Sequence, residues 1–99
     1  MKLIELNLQQ IFALCKQYNV KTLSIFGSIL TNRFKETSDV DMLVEFNNDE
    51  ISDYVTNYFE LQNALTSLFN RNVDLIEAKG LKNKFLIENI TRTKKVIYG

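Results

Sequence analysis

The chain has 99 residues, 45% of them hydrophobic and 24% charged, close to the average of globular domains, so neither a disordered chain nor a coiled coil is indicated. A chain of this size buries roughly 60 to 65% of its unfolded surface in one compact domain, which excludes a two-domain enzyme. Twelve Lys and Arg balance twelve Asp and Glu. No long-range field therefore pulls the chain toward nucleic acid or anionic lipid, and any phosphate chemistry falls to local groups or a bound cation.

The absence of histidine removes Ser-His-Asp and Cys-His mechanisms and His-rich zinc sites together. Proline is absent too. The opening Met1-Lys2-Leu3-Ile4-Glu5 meets a charge before any apolar run long enough for a signal peptide, and no stretch approaches the roughly eighteen apolar residues of a membrane span. The expectation is a soluble, cytoplasmic protein.

In chain order, Leu8, Ile11, Phe12, Cys15 and Tyr18 recur at helical spacing and predict an amphipathic helix over residues 5 to 19, with Asn19 as its stop. Cys15, the single cysteine, falls on that stripe and reads as a buried structural thiol. Lys21 to Phe26 alternates as a strand and ends at Gly27; Ile29 to Phe34 fits a short helix, followed by a polar connection. Asp39 to Phe46 is the second strand. A long helix over Asp53 to Asn70 follows, its stripe formed by Tyr58, Leu61, Leu65, Leu68 and Phe69. The third strand covers Asn72 to Glu77, a weaker helix Leu81 to Asn89, and an edge strand Lys94 to Tyr98. The alternation predicts an α/β (α+β) arrangement with a small mixed sheet flanked by helices. Strand directions stay open, although short connections such as that from Phe26 to Asp39 favour mixed or antiparallel neighbours.

The chemistry concentrates in Phe26-Gly27-Ser28, ten further residues, and Asp39-Val40-Asp41. Two carboxylates one residue apart at the head of a strand share a face. At roughly 4 to 6 Å and an effective dielectric near 20 they repel by about 3 to 4 kcal/mol, so the pair calls for a shared proton or a cation. Mg²⁺ usually takes one or two protein carboxylates plus phosphates and water, which this chain can supply. The alternative is a solvated strand end or a turn cap. Gly27 lets backbone approach a phosphate, and a helix start after it would offer free N–H groups; Ser28 adds a hydroxyl, or serves only as a helix cap. Asp74 interrupts the apolar strand Val73-Asp74-Leu75-Ile76 and needs a partner there: it either joins Asp39 and Asp41 in a three-carboxylate cluster or bonds a loop N–H at a strand edge. Tyr54, Tyr58, Phe59, Phe69 and Phe85 read as core, or as part of a surface for a macromolecular acceptor.

Phe26-Gly27-Ser28, Ser38-Asp39-Val40-Asp41-Met42-Leu43-Val44-Glu45-Phe46 and Arg71-Asn72-Val73-Asp74-Leu75-Ile76 together resemble the minimal nucleotidyltransferases (MNT) of the DNA polymerase beta superfamily. The likeness spans residues 23 to 76, and the segment Leu81 to Tyr98 resembles the family's tail. It implies one polymerase beta-like nucleotidyltransferase domain over residues 1–99. It implies also an enzyme that moves AMP from ATP to a hydroxyl with two Mg²⁺ ions. Asp39, Asp41 and Asp74 would be the metal-binding and catalytic carboxylates, with Gly27 and Ser28 holding the triphosphate. Small stand-alone members resemble antitoxins of HEPN-domain toxins, in pairs of the type VII kind, some of which attach AMP to a toxin tyrosine. The implied partners are thus a HEPN toxin and a nucleoside triphosphate, in an oligomer or hetero-complex, with no membrane and no strong direct nucleic-acid binding. The alternatives are a non-catalytic antitoxin that blocks its toxin, or transfer to a small molecule or RNA. Many members carry Arg just after Gly-Ser; this chain has Ile29, Leu30, Thr31 and Asn32, then Arg33 and Lys35.

Overall fold

The computed structural model describes residues 2–99. Four strands form one sheet: β1 (Val20–Phe26), β2 (Val40–Phe46), β3 (Val73–Glu77) and β4 (Lys95–Tyr98), in the order β3-β2-β1-β4. β1 runs antiparallel to β2 and to β4, whereas β2 and β3 run parallel. The helices are α1 (Lys2–Leu6), α2 (Leu8–Gln17), α3 (Tyr54–Phe69) and α4 (Lys84–Thr93). The mixed sheet expected from the alternation is present. The parallel pair is the one joined through the long helix α3, as a crossover requires.

Alternation along the strands separates two faces. Leu23 and Ile25 of β1, Val40, Met42 and Val44 of β2, and Val73 and Leu75 of β3 turn to one side. There they form the core with Ile4 of α1, Ile11 and Cys15 of α2, and Leu61, Leu65 and Phe69 of α3. The opposite face carries Ser24, Phe26, Asp41, Leu43, Asp74 and Ile76, paired in register across the three strands. Leu43 and Ile90 are buried outside the main core. Burial pushes the Cys15 thiol up to about 12, so it stays protonated and inert, as the stripe in α2 implied.

Three expected elements differ in detail. The first helix breaks in two at Asn7, whose side-chain amide donates to the Leu3 carbonyl at 2.8 Å and whose N–H turns back to Ile4. A local side-chain bond of this kind competes with helix propagation. The short helix expected over Ile29 to Phe34 is instead one 3₁₀ turn, Gly27–Leu30, followed by further turns. The last helix begins later and ends later than expected, because Asn83 accepts from the N–H groups of Phe85 and Leu86 and so sets its start. Asn19 and Asn70 both adopt positive φ just beyond α2 and α3, the left-handed stop that Asn tolerates.

The outer edge of β3 is closed by α3. Gln62 Nε2 donates to the Val73 carbonyl at 3.1 Å, and the Tyr58 hydroxyl donates to the Leu75 carbonyl. Both edge acceptors are thereby removed from competition with a stray strand. Of the five aromatic residues weighed in the sequence, Phe69 is core and Tyr54 and Tyr58 pack against it, whereas Phe59 and Phe85 are 53% and 84% exposed. Among the described residues no helix is long and apolar enough to cross a membrane. Leu65 is fully buried where α3 meets the sheet; Leu65→Ala is expected to cost about 2 to 5 kcal/mol in urea unfolding.

Candidate active site

Pairing alone assembles the central acids. β2 and β3 run parallel with Val40 beside Val73, Asp41 beside Asp74 and Met42 beside Leu75. Because the flanking apolar residues must enter the core, Asp41 and Asp74 are forced onto the other face as lateral neighbours on strands about 4.8 Å apart. The antiparallel pairing of β1 brings Phe26 opposite Asp41, so the chain leaves β1 at Gly27 directly beside that carboxylate.

Gly27 has φ +78°, and a Cβ placed on it would lie 2.5 Å from Asp41 Oδ2. The positive φ favours glycine there, and any Cβ would force the Asp41 carboxylate to shift. Ser28 is half-buried in the 3₁₀ turn. No side-chain hydrogen bond caps that turn, so the cap reading of Ser28 is not realised; its carbonyl accepts from Thr31 N–H and from the Thr31 hydroxyl, both at 2.9 Å. The helix expected after Gly27 is only this single 3₁₀ turn, so any anion grip there rests on the backbone of one short turn and the Ser28 hydroxyl.

Asp39 lies exposed, one residue before β2 and on the Asp41 side of the pleat. The Asp41 carboxyl is held above its ordinary range, first by burial, then by the charges of Asp74 and Asp39. All three acids thus act on one locus. Among the described residues, however, no three carboxylates stand close enough to form a ready-made metal cage. The expected three-carboxylate cluster is instead a lateral pair, Asp41 and Asp74, with Asp39 outside it because Asp39 precedes β2 and has no place in the β2–β3 ladder. A donor set of this kind fits Mg²⁺, which demands few protein carboxylates and completes its shell with water and phosphate oxygens. Asp39, Asp41 and Asp74 would hold it.

The segment between the glycine turn and Asp39 is organised by Arg71, which the sequence motif contains but to which no role attached. Its Nη1 donates to the carbonyls of Lys35 at 2.9 Å and Ser38 at 3.2 Å, and its guanidinium carbon stands 4.7 Å from the centre of the Phe34 ring. The signal legible beforehand was only an Arg placed three residues before Asp74.

A small mixed sheet with acids at adjacent strand ends beside a glycine turn is the architecture of a nucleotidyl-transfer domain. Residues 9–99 match the family described as Polymerase beta, Nucleotidyltransferase. A relative in Methanocaldococcus jannaschii, MJ0128, provisionally named a protein adenylyltransferase, is 40% identical over 75 residues, covering 76% of this chain and 74% of its own. The chain belongs to this family and is a nucleotidyltransferase. Its fold is similar to that of a solved minimal nucleotidyltransferase, provisionally so named, with TM-score 0.77, 27% identity and coverage of 96% and 95% of the two chains. It also shares the fold of an MNT antitoxin solved with a tri-AMPylated HEPN toxin of Shewanella oneidensis, at TM-score 0.67 and 22% identity, over 96% of this chain and 71% of that one. A toxin–antitoxin complex with AMP-PNP has TM-score 0.72 and 22% identity, over 94% and 73%.

The raised proton affinity of Asp41 fixes a sign. A carboxyl that binds its proton more tightly in the folded chain than in the unfolded one contributes stability at low pH, and that contribution is lost as pH rises through its folded value. At neutral pH the ionised group therefore weighs against folding. Asp41→Asn is expected to raise the melting temperature by a few degrees at pH 7, the gain vanishing below about pH 4, as read by thermal scans across pH.

Proposed function

We propose that the chain transfers AMP from ATP to a hydroxyl of a partner protein, and that this partner is a HEPN-domain toxin modified on tyrosine, with the chain acting as its antitoxin. The observation that carries the reading is the in-register pair Asp41 and Asp74 beside a glycine that touches Asp41. The relatives named as protein adenylyltransferases support the reaction class, and the antitoxin of like fold solved beside an AMPylated HEPN toxin supports the partner. We read residues 1–99 as one nucleotidyltransferase domain, working in the cytoplasm where ATP is available.

In the proposed step the acceptor oxygen attacks the α-phosphorus, an O–P bond forms, the bond from that phosphorus to the bridging oxygen breaks, and pyrophosphate leaves. Bound Mg²⁺ would offset the charge that develops on the phosphate oxygens. Asp41 and Asp39 hold the metal-binding face toward the triphosphate. Asp74, exposed on the edge strand, is reached by an incoming hydroxyl and accepts its proton. Gly27 keeps the turn flat against Asp41, and the Ser28 hydroxyl donates to a phosphate oxygen. Most of the acceleration comes from positioning and electrostatics, since phosphoryl-type transfer leaves little covalent work to the protein. A small domain with an open sheet end suits an acceptor delivered on another macromolecule.

Incubation of the protein and a HEPN partner with ATP labelled at the α-phosphate is expected to label the partner. Asp39→Asn is expected to lower that labelling by at least about a thousandfold with the fold retained by circular dichroism. Unlabelled partner with the wild-type chain would refute the reading, and full neutralisation by Asp39→Asn would favour an antitoxin that acts by covering its target. Gly27→Ala, which drives a methyl into Asp41, is expected to abolish transfer in the same assay.

A further inference from the structure

We infer that Arg71 is a positioning residue for the active site: it clamps the segment 31–38 and thereby fixes Asp39 relative to Asp41 and Asp74. This rests on the reading of those acids given above and adds a residue that touches neither metal nor nucleotide.

The clamp has three parts. Arg71 Nη1 donates to the Lys35 carbonyl and to the Ser38 carbonyl, and the second of these belongs to the peptide bond that leads into Asp39. The guanidinium lies over the Phe34 ring, a cation–π contact that an ammonium on a flexible stem reproduces poorly together with two fixed donor directions. Besides the packing of Phe34 against the core, the segment it grips is held by its own short turns: Ser38 N–H to the Lys35 carbonyl at 3.0 Å, Lys35 N–H to Ser38 Oγ at 2.9 Å, and Phe34 N–H to the Thr31 carbonyl at 3.4 Å. Thr31 in turn bonds the Ser28 carbonyl. The guanidinium thus ties the lead-in to Asp39 to the start of β3, where Asn72 accepts from Val40 N–H at 2.9 Å, and reaches the glycine-serine turn only through Phe34 and Thr31.

The reason for such a clamp is electrostatic. Asp39 is exposed and lies near two further carboxylates, so an unrestrained lead-in would swing it outward into water. Arg71 directs Nη1 to two backbone carbonyls, its buried Nε has no partner, and it bonds none of these acids, so it holds the position of Asp39 without pairing with a carboxylate of the site.

Three measurements decide the point. In Arg71→Ala, amide hydrogen exchange at residues 35–40 is expected to accelerate at least about tenfold while α2 and α3 keep wild-type protection. The affinity for AMP-PNP with magnesium, titrated calorimetrically well below the melting temperature, is expected to fall about tenfold, the scale typical of losing an outer support for metal ligands. Arg71→Lys, which keeps the charge without the planar fork, is expected to recover only part of both losses. Should Arg71→Ala not fold, Phe34→Leu, which removes the ring and leaves an apolar side chain, is expected to produce the same local exchange in weaker form. Unchanged exchange at 35–40, unchanged affinity in the folded variant, or full recovery by Arg71→Lys would overturn the inference. If the wild-type chain failed to bind AMP-PNP, the site reading would fail, while the exchange comparison would still decide whether Arg71 orders the segment.

Discussion

Two carboxyl side chains are held on adjacent parallel strands, and the rest of the molecule is arranged so that they stay there. At about 5 Å and an effective dielectric near 20 their repulsion is roughly 3 kcal/mol. The register that imposes it comes from the other face of the sheet. Val40, Met42, Val73 and Leu75 are all buried, and slipping either strand by one residue would turn its own two of these side chains out and its acid in. Burial of one such side chain is worth about 1.5 to 3 kcal/mol. The four together outweigh the repulsion, and the charged pair remains as a poised site rather than a fault in the fold.

That division of labour explains the asymmetry of the molecule. α1, α2 and α3 cover one face and supply its apolar mass, so the acids can occupy the face those helices leave uncovered. α3 has a second task. It forms the crossover that makes β2 and β3 parallel, and it seals the free edge of β3 with Gln62 and Tyr58. A parallel pair puts the starts of both strands at the same end of the sheet, which is where Asp41 and Asp74 lie. An antiparallel pair would have placed one acid at each end.

The turn after β1 completes the arrangement at little cost in chain. Gly27 allows closest approach to Asp41, and the following segment folds on itself before returning as β2. Its order depends on contacts from outside it, the guanidinium of Arg71 and the core against which Phe34 packs, because turns of Thr, Lys and Ser with no helix of their own have few internal constraints.

Much of this was legible in the linear chain, for physical reasons that differ by element. Strands β1, β2 and β3 and helix α3 were visible because burial imposes a period of two or of 3.6 on apolar side chains, and Asp39, Asp41, Asp74 and Gly27 stood out as candidates because charged or glycine positions depart from those apolar periods. What lay beyond it needed three dimensions. The break at Asn7 and the late start of α4 depend on single side-chain-to-backbone bonds, which periodicity does not register. The short helix expected after Ser28 fails because Thr31 folds back on the Ser28 carbonyl. The lateral pairing of Asp41 with Asp74 joins residues 33 apart in sequence, and the grip of Arg71 on Ser38 spans the same distance. Local patterning determined which residues could be acidic neighbours; only the parallel register, chosen by the core on the far face, determined that they are.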